Sequence, residues 1–142
     1  MKKSLVFLVF VITVSITSFA SVDTINIYSN SMFKSVKCVV VTPTSYKKSG
    51  LAFPVVYLLH GFGGKYSDWV KQVPEMQALA DENQLMIVCP DGAVSSWYFD
   101  SPLDLTMHYE TNIALEIPAY IDSVYHTVTD RKARAITGLR MG

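Results

Sequence analysis

Short runs of β-branched and apolar residues recur along the chain and predict five strands. The first two runs partly alternate with polar residues. The third is continuously apolar, which is typical of a parallel strand that is covered on both faces. The predicted strands are residues 22–28, 36–42, 55–59, 85–89 and 133–137.

Two stretches between these strands carry the apolar spacing of amphipathic helices. Residues 70–83 predict one helix, with Pro74 in its first turn. Residues 113–124 predict a second, in which Pro118 should introduce a kink or begin a new helix. Buried strands that alternate with helices predict an α/β fold built on a parallel sheet.

Residues 1–20 have the three-part layout of a secretory signal peptide. A short basic start precedes an apolar run over residues 5–16, and small residues follow at Ser18 and Ala20. We expect cleavage after Ala20, a secreted or periplasmic protein, and a domain over 21–142 without a stable membrane span. A retained N-terminal anchor is the alternative, although the apolar run is short for a membrane span.

Charge and composition exclude several classes of function. Twelve basic and twelve acidic side chains give no net charge and no basic stripe, which argues against nucleic-acid binding. Half of the residues are hydrophobic, too many for a disordered chain.

The two cysteines, Cys38 and Cys89, are too few for a disulfide-rich scaffold or a structural zinc site. Export would permit one disulfide between them, and the pattern leaves that question open.

A glycine-rich loop directly follows the predicted strand at 55–59. It consists of His60, Gly61, Phe62, Gly63 and Gly64. Glycines at such a place let backbone N–H groups approach a ligand. The loop lacks the lysine, the hydroxyl and the glycine spacing of phosphate-binding loops, so another ligand is expected.

The last predicted strand runs into a second turn that is flanked by glycines. Gly138 and Gly142 have the G-x-S-x-G spacing of a nucleophile elbow, a turn too sharp for larger side chains at those places. Arg140 stands at the centre, where serine is expected; a guanidinium stays protonated and cannot act as an acyl-transfer nucleophile. Three interpretations are open: a substitution in a decayed copy, an error in the sequence, or a cation in a binding pseudoenzyme.

With both motifs present, the chain resembles the secreted branch of the putative esterase family of the α/β-hydrolase fold. That family includes feruloyl and acetylxylan esterases, S-formylglutathione hydrolases and mycolyltransferases. The matching motifs follow one another in family order over nearly the whole of residues 21–142. They lie at residues 53–64, 67–69, 88–92, 97–98, 109–111, 116–122 and 134–139.

The resemblance implies a three-layer α/β-hydrolase sheet, truncated after the strand that leads into the elbow. Residues 21–142 would then be the N-terminal part of an esterase domain. The backbone N–H groups of Phe62 and Met141 would form the oxyanion hole, and Arg140 would occupy the nucleophile position. The acid and the histidine of the triad follow the nucleophile in this fold, so neither is expected within this sequence.

The resemblance also places His60, Trp97 and Tyr98 around a possible substrate pocket. His60 is expected to shape the oxyanion loop rather than to act as the base, because the base comes later in this fold. Trp97 and Tyr98 suit either an aromatic platform for a substrate or a cover over a loop, and their pattern does not separate the two. No metal or organic cofactor is implied.

Two functions from different classes follow. The leading hypothesis is a secreted carboxylic-ester hydrolase of the serine type, which includes the carbohydrate esterases. Its substrate would be a small-molecule or polysaccharide-linked ester. The chain would be an N-terminal fragment of it, inactive because of Arg140 and the missing triad partners. The alternative is a non-catalytic pseudoenzyme that binds a ligand in the former acyl pocket.

Overall fold

A mixed five-stranded sheet organises residues 21–142, the part of the chain that this computed structural model describes. The strands are β1 (Ser21–Ser29), β2 (Lys34–Thr42), β3 (Val55–Leu59), β4 (Met86–Pro90) and β5 (Arg134–Gly138). Their order is β1-β2-β4-β3-β5, with β3, β4 and β5 parallel and β1 and β2 antiparallel to their neighbours. All five predicted strands and the α/β class are confirmed, although the sheet is not wholly parallel. The predicted signal peptide lies outside the described residues.

Helices pack on both faces of the sheet and make a three-layer arrangement. Alternate side chains of a strand point to opposite faces, so each buried strand contributes to two cores. One core joins the sheet to Ile113, Ile117 and Ile121, and the other joins it to Met76 and Ala80. None of the helices in residues 21–142 has the length and apolar character needed to cross a bilayer.

The helix predicted over 70–83 is two helices, and the prediction of a single one was wrong. The chain forms α2 (Asp68–Gln72) and α3 (Met76–Asn83), following a short α1 (Tyr46–Ser49). Val73, with φ −121° and ψ 86°, has left the helical region. Its successor Pro74 disfavours the helical conformation in the preceding residue, so the proline ends α2 instead of beginning a helix.

The second predicted helix is confirmed, together with the interruption near Pro118. It comprises α4 (Tyr109–Thr111), a π-helical turn (Asn112–Glu116) and α5 (Ile117–Val124). The Ile117 N–H bonds the Asn112 carbonyl, five residues back. Pro118 then lies in the first turn of α5, directly after the π-helical turn.

The two cysteines, Cys38 and Cys89, are buried free thiols, so they do not form the disulfide that the sequence left open. In the β2–β4 register Val39, not Cys38, lies opposite Cys89. Cys38 and Cys89 therefore point to opposite faces of the sheet and belong to different cores. Burial raises the pKa of each thiol to about 12, so both stay protonated at neutral pH.

Candidate active site

The carboxyl ends of the three parallel strands bring the predicted motifs to one edge of the sheet. Residues 60–64 follow β3, residues 91–99 follow β4, and residues 139–142 follow β5. In open α/β sheets ligands bind at this edge. The two glycine motifs, which are 78 positions apart when counted from His60 to Gly138, thus become neighbours.

The turn after β5 has the backbone shape of a nucleophile elbow. Arg140 has φ +58°, in the left-handed region that non-glycine residues seldom occupy. The Gly142 N–H closes the turn on the Leu139 carbonyl at 3.1 Å. Such a conformation persists only where the surrounding structure fixes it.

Close contacts around the elbow require glycine at both flanking positions. A Cβ on Gly138 would lie 2.6 Å from the carbonyl carbon of Gly142 and 2.9 Å from Leu59 Cβ. A Cβ on Gly142 would lie 2.6 Å from Leu59 Cβ and 2.7 Å from the Leu59 carbonyl oxygen. Real Cβ atoms do not approach other atoms so closely. Any residue other than glycine at position 138 or 142 would therefore require β3 to shift.

The loop after β3 packs directly against the elbow. A Cβ on Gly61 would lie 3.1 Å from the Leu139 carbonyl oxygen and 3.7 Å from Arg140 Cβ. Gly63 has φ +78°, and its N–H bonds the Val94 carbonyl at 2.8 Å. The loop is thereby held between the elbow and the segment that follows β4.

Two backbone donors at this junction are left without an acceptor. Within residues 21–142, the N–H groups of Phe62 and Met141 make no hydrogen bond. They are the two groups expected to form the oxyanion hole. Free, preorganised N–H groups can stabilise a negatively charged oxygen, which is what an acyl-transfer site requires.

His60 is buried and connects the loop after β3 to the turn after β4. Its Nε2 accepts the Gly92 N–H at 2.8 Å, and its Nδ1 donates to the Gly61 carbonyl at 2.9 Å. Burial lowers the pKa of His60, but the Asp91 carboxylate, 3.7 Å from Nε2, and the Gly61 carbonyl outweigh it and raise the pKa. Both ring nitrogens are thus occupied in holding the loops together.

Tyr98 and Trp97 differ in their surroundings although they are adjacent in sequence. The Tyr98 hydroxyl accepts the His60 N–H at 3.1 Å, and its ring fills the space beside Gly92. Trp97 is exposed, with its ring centroid 6.5 Å from that of Phe62. Tyr98 therefore supports the backbone of His60, while Trp97 is an exposed neighbour of Phe62.

A cavity of about 290 Å³ opens in front of the elbow. Its lining comprises His60, Gly61, Phe62, Gly64, Asp68, Trp69, Gln72, Leu139 and Arg140. Trp97 and Tyr98 are not part of it. The α2 residues were not among the predicted site residues, although Asp68 and Trp69 belong to the motif at residues 67–69 that carries part of the family resemblance.

The cavity lining includes one acidic side chain, Asp68, and one arginine, Arg140. The Asp68 carboxylate accepts the Lys65 N–H at 3.0 Å. Arg140 makes no hydrogen bond or ion pair within residues 21–142. The same residues contain no group of three or more side chains suited to hold a metal ion.

Comparison with known protein families gives one match that spans most of the chain. The model of the family described as "Putative esterase" matches residues 29–142. Esterase MT1326 of Mycobacterium tuberculosis is 28% identical to the chain over 106 residues, which are 72% of this chain and 23% of that protein. The chain thus spans under a quarter of the length of this curated relative.

Solved structures of similar fold are esterases and hydrolases. A ferulic acid esterase superposes with a TM-score of 0.76 and 28% identity, covering 88% of this chain and 50% of that one. An S-formylglutathione hydrolase from Agrobacterium tumefaciens superposes with a TM-score of 0.72 and 20% identity, covering 83% and 48%. The latter likeness concerns the fold alone.

Proposed function

Because the chain belongs to the "Putative esterase" family, we propose that it is the N-terminal part of a secreted carboxylic-ester hydrolase domain of the serine type. The substrate class is a small-molecule or polysaccharide-linked ester. The similarity to a ferulic acid esterase supports an ester of a carboxylic acid as the substrate.

The observation that carries this proposal is the intact elbow. Arg140 holds the strained φ of a nucleophile position, and the N–H groups of Phe62 and Met141 stand free beside it. In a serine esterase the hydroxyl at this position attacks the ester carbonyl, and the two N–H groups hold the oxyanion. A histidine base, supported by an acid, takes the proton of the serine hydroxyl and passes it to the alcohol that leaves as the ester bond breaks. The same base then activates the water that hydrolyses the acyl-enzyme.

Arg140 cannot perform the first of these steps. A guanidinium has no lone pair available for attack on an ester carbonyl. Within residues 21–142, His60 has both ring nitrogens engaged with backbone groups and is not a free base. The chain of 142 residues is therefore proposed to lack esterase turnover, although oxyanion donors alone can leave a weak rate enhancement.

Hydrolysis of a short-chain nitrophenyl ester tests this proposal, with heat-denatured protein as the control. Neither the natural chain nor Arg140→Ser should turn over the ester, because the variant gains a hydroxyl but no base. Saturable hydrolysis that titrates with a serine-directed inhibitor would contradict the proposal.

A non-catalytic binding protein is the second candidate, and the unpaired guanidinium of Arg140 favours it. Reading the coding DNA beyond the codon for Gly142 separates the candidates. A continuing frame with further strands, an acid and a histidine supports an enzyme, whereas a frame that keeps Arg140 and lacks the histidine supports a binder.

Secretion is part of the leading proposal and has its own test. Protein recovered from the medium or periplasm of a bacterial host should begin at Ser21 by mass spectrometry. Retention of Met1 in a membrane fraction would contradict both the signal peptide and the proposed localisation.

A further inference from the structure

We propose that the cavity in front of the elbow binds a small monocarboxylate, held by Arg140 and by the backbone N–H groups of Phe62 and Met141. The inference rests on the proposed function for the role of this site and names its ligand class. The ligand would be an acid, the kind of molecule that ester cleavage releases, and not the uncharged ester.

The first support is the free charge of Arg140. Arg134, at the beginning of β5, is paired with Asp122. Arg140 lines the cavity and has no such partner within residues 21–142. A guanidinium offers two parallel N–H groups whose spacing matches the two oxygens of a carboxylate.

The second support is the pair of backbone donors beside it. The N–H groups of Phe62 and Met141 are unpaired, and Met141 is only 6% exposed. Phe62 lines the cavity and Met141 directly follows the lining residue Arg140, so an anion held beside Arg140 would give both N–H groups an acceptor. The loop that carries Phe62 is held against the elbow by the close approach of Gly61 to Leu139, so the donors need no rearrangement.

The third support concerns the size and the walls of the cavity. A volume of about 290 Å³ fits a small organic molecule, and Phe62 and Trp69 provide apolar surface. Trp69 is fixed because its indole N–H bonds the Leu59 carbonyl at 3.1 Å. The Asp68 carboxylate lines the same cavity and repels a doubly charged anion more strongly than a singly charged one, which favours a monocarboxylate over sulfate or doubly charged phosphate.

Titration of the full chain with benzoate tests the proposal, with methyl benzoate as the matched neutral ester. Trp69 and Trp97 are the only tryptophans in the sequence, so intrinsic fluorescence follows the site, and calorimetry gives an independent Kd. Benzoate should bind saturably and more weakly as salt rises, whereas the ester should show no saturation over the same range. Arg140→Gln should raise the Kd for benzoate at least about tenfold, because a charge-assisted hydrogen bond is lost.

Two further variants control for damage to the fold. Arg140→Lys keeps the charge and should retain part of the affinity, while Arg131→Gln removes an exposed arginine outside the cavity and should change nothing. Circular dichroism verifies that each variant keeps its secondary structure.

Three results would overturn the inference: benzoate and its methyl ester binding equally, sulfate binding as tightly as benzoate, or Arg140→Gln binding like the natural chain. Ester turnover measured on the same preparation separates this inference from the proposed function. Turnover would contradict the proposed function, whereas absence of both turnover and carboxylate binding would contradict only the carboxylate site.

Discussion

The two edge strands of the sheet, β1 and β5, are held in very different ways. All nine residues of β1 pair antiparallel with β2, and Ile27 and Ser29 are buried. The five residues of β5 pair in parallel with β3, and none of them is buried. Of the two edge strands, β5, which leads into Arg140, is therefore the one whose residues are less buried within residues 21–142.

A carboxylate clamp strengthens the β1 side. Glu116 accepts hydrogen bonds from the Ser29 hydroxyl at 2.5 Å, the Ser31 N–H at 2.8 Å and the Asn112 amide at 2.9 Å. It thereby joins the β1–β2 hairpin to the helical segment. The β5 side has the Arg134–Asp122 ion pair and the close packing of its glycines instead. The β1 edge is thus anchored by burial and hydrogen bonds, and the elbow by the shape of the backbone.

The largest contrast is expected from the same substitution on both edges. Ile27→Ala on β1 removes a side chain that is 1% exposed and should lower the free energy of unfolding by about 2–5 kcal/mol. Ile136→Ala on β5, where the side chain is 59% exposed, should change it by less than about 0.5 kcal/mol. Urea unfolding followed by circular dichroism measures both, and equal effects would refute the contrast.

Gly138→Ala tests whether backbone packing anchors the elbow. The added methyl group meets backbone atoms that cannot swing away, so a loss of about 1–3 kcal/mol is expected. Gly50→Ala is the control, since its Cβ meets nothing within 4 Å and only its φ of +62° is strained, which costs about 1 kcal/mol. Amide NMR spectra should show shifts around Leu59 in the first variant alone. A smaller loss for Gly138→Ala than for the control would show that packing does not fix the turn.

Glu116→Gln tests the clamp and gives it a pH signature. Burial raises the pKa of Glu116, but hydrogen bonds from Asn112, Ser29 and Ser31 outweigh it and hold the pKa below its ordinary value of 4.5. The ionised group therefore stabilises the fold above pH 4.5, and this contribution is lost as the pH falls through the folded-state pKa. At pH 7 the variant should lose about 1–2 kcal/mol.

The pH dependence of that loss is measured by urea unfolding between pH 3 and pH 7. The difference between natural chain and variant should shrink toward the acid end. Glu82→Gln, at an exposed position of α3, is the matched control and should show no such trend. A difference that stays constant with pH would mean that the carboxylate charge is not what holds the hairpin.

The smallest effect on stability is expected from Ile136→Lys. The side chain is exposed, so the free energy of unfolding should change by less than about 0.5 kcal/mol. An open strand edge invites pairing between molecules, and lysine on such a strand opposes it. Sedimentation velocity should show less self-association than for Leu103→Lys, which replaces another exposed apolar side chain away from the sheet. Equal association of the two variants would count against β5 as the pairing edge.

Local pattern was enough to predict most of the fold. The strands were predictable because runs of β-branched residues encode them directly, and the elbow because Gly138 and Gly142 have a spacing that few other turns require. The division between α2 and α3 was missed because Pro74 suits both the first turn of a helix and the end of one. The outcome depends on the conformation of Val73, which apolar spacing does not reveal.

Contacts between distant parts of the chain were beyond the reach of sequence patterns. The bond from Ser29 to Glu116 spans 87 positions, and no sequence motif pairs the two residues. Asp68 and Trp69 line the cavity only because α2 packs over the end of β3, where the Trp69 indole N–H donates a hydrogen bond to the Leu59 carbonyl. Such pairings are decided by tertiary packing, which a single sequence does not display.

The glycines of the elbow have one more consequence, for how such a protein can change over evolutionary time. The turn is shaped by Gly138, Gly142 and the strand beneath them, and the side chain at position 140 takes no part in that packing. A mutation there alters reactivity and leaves the architecture as it was. The chemistry of the site and the shape of the turn therefore depend on different residues, so a change at position 140 can exchange a nucleophile for a cation while the two glycines still shape the turn.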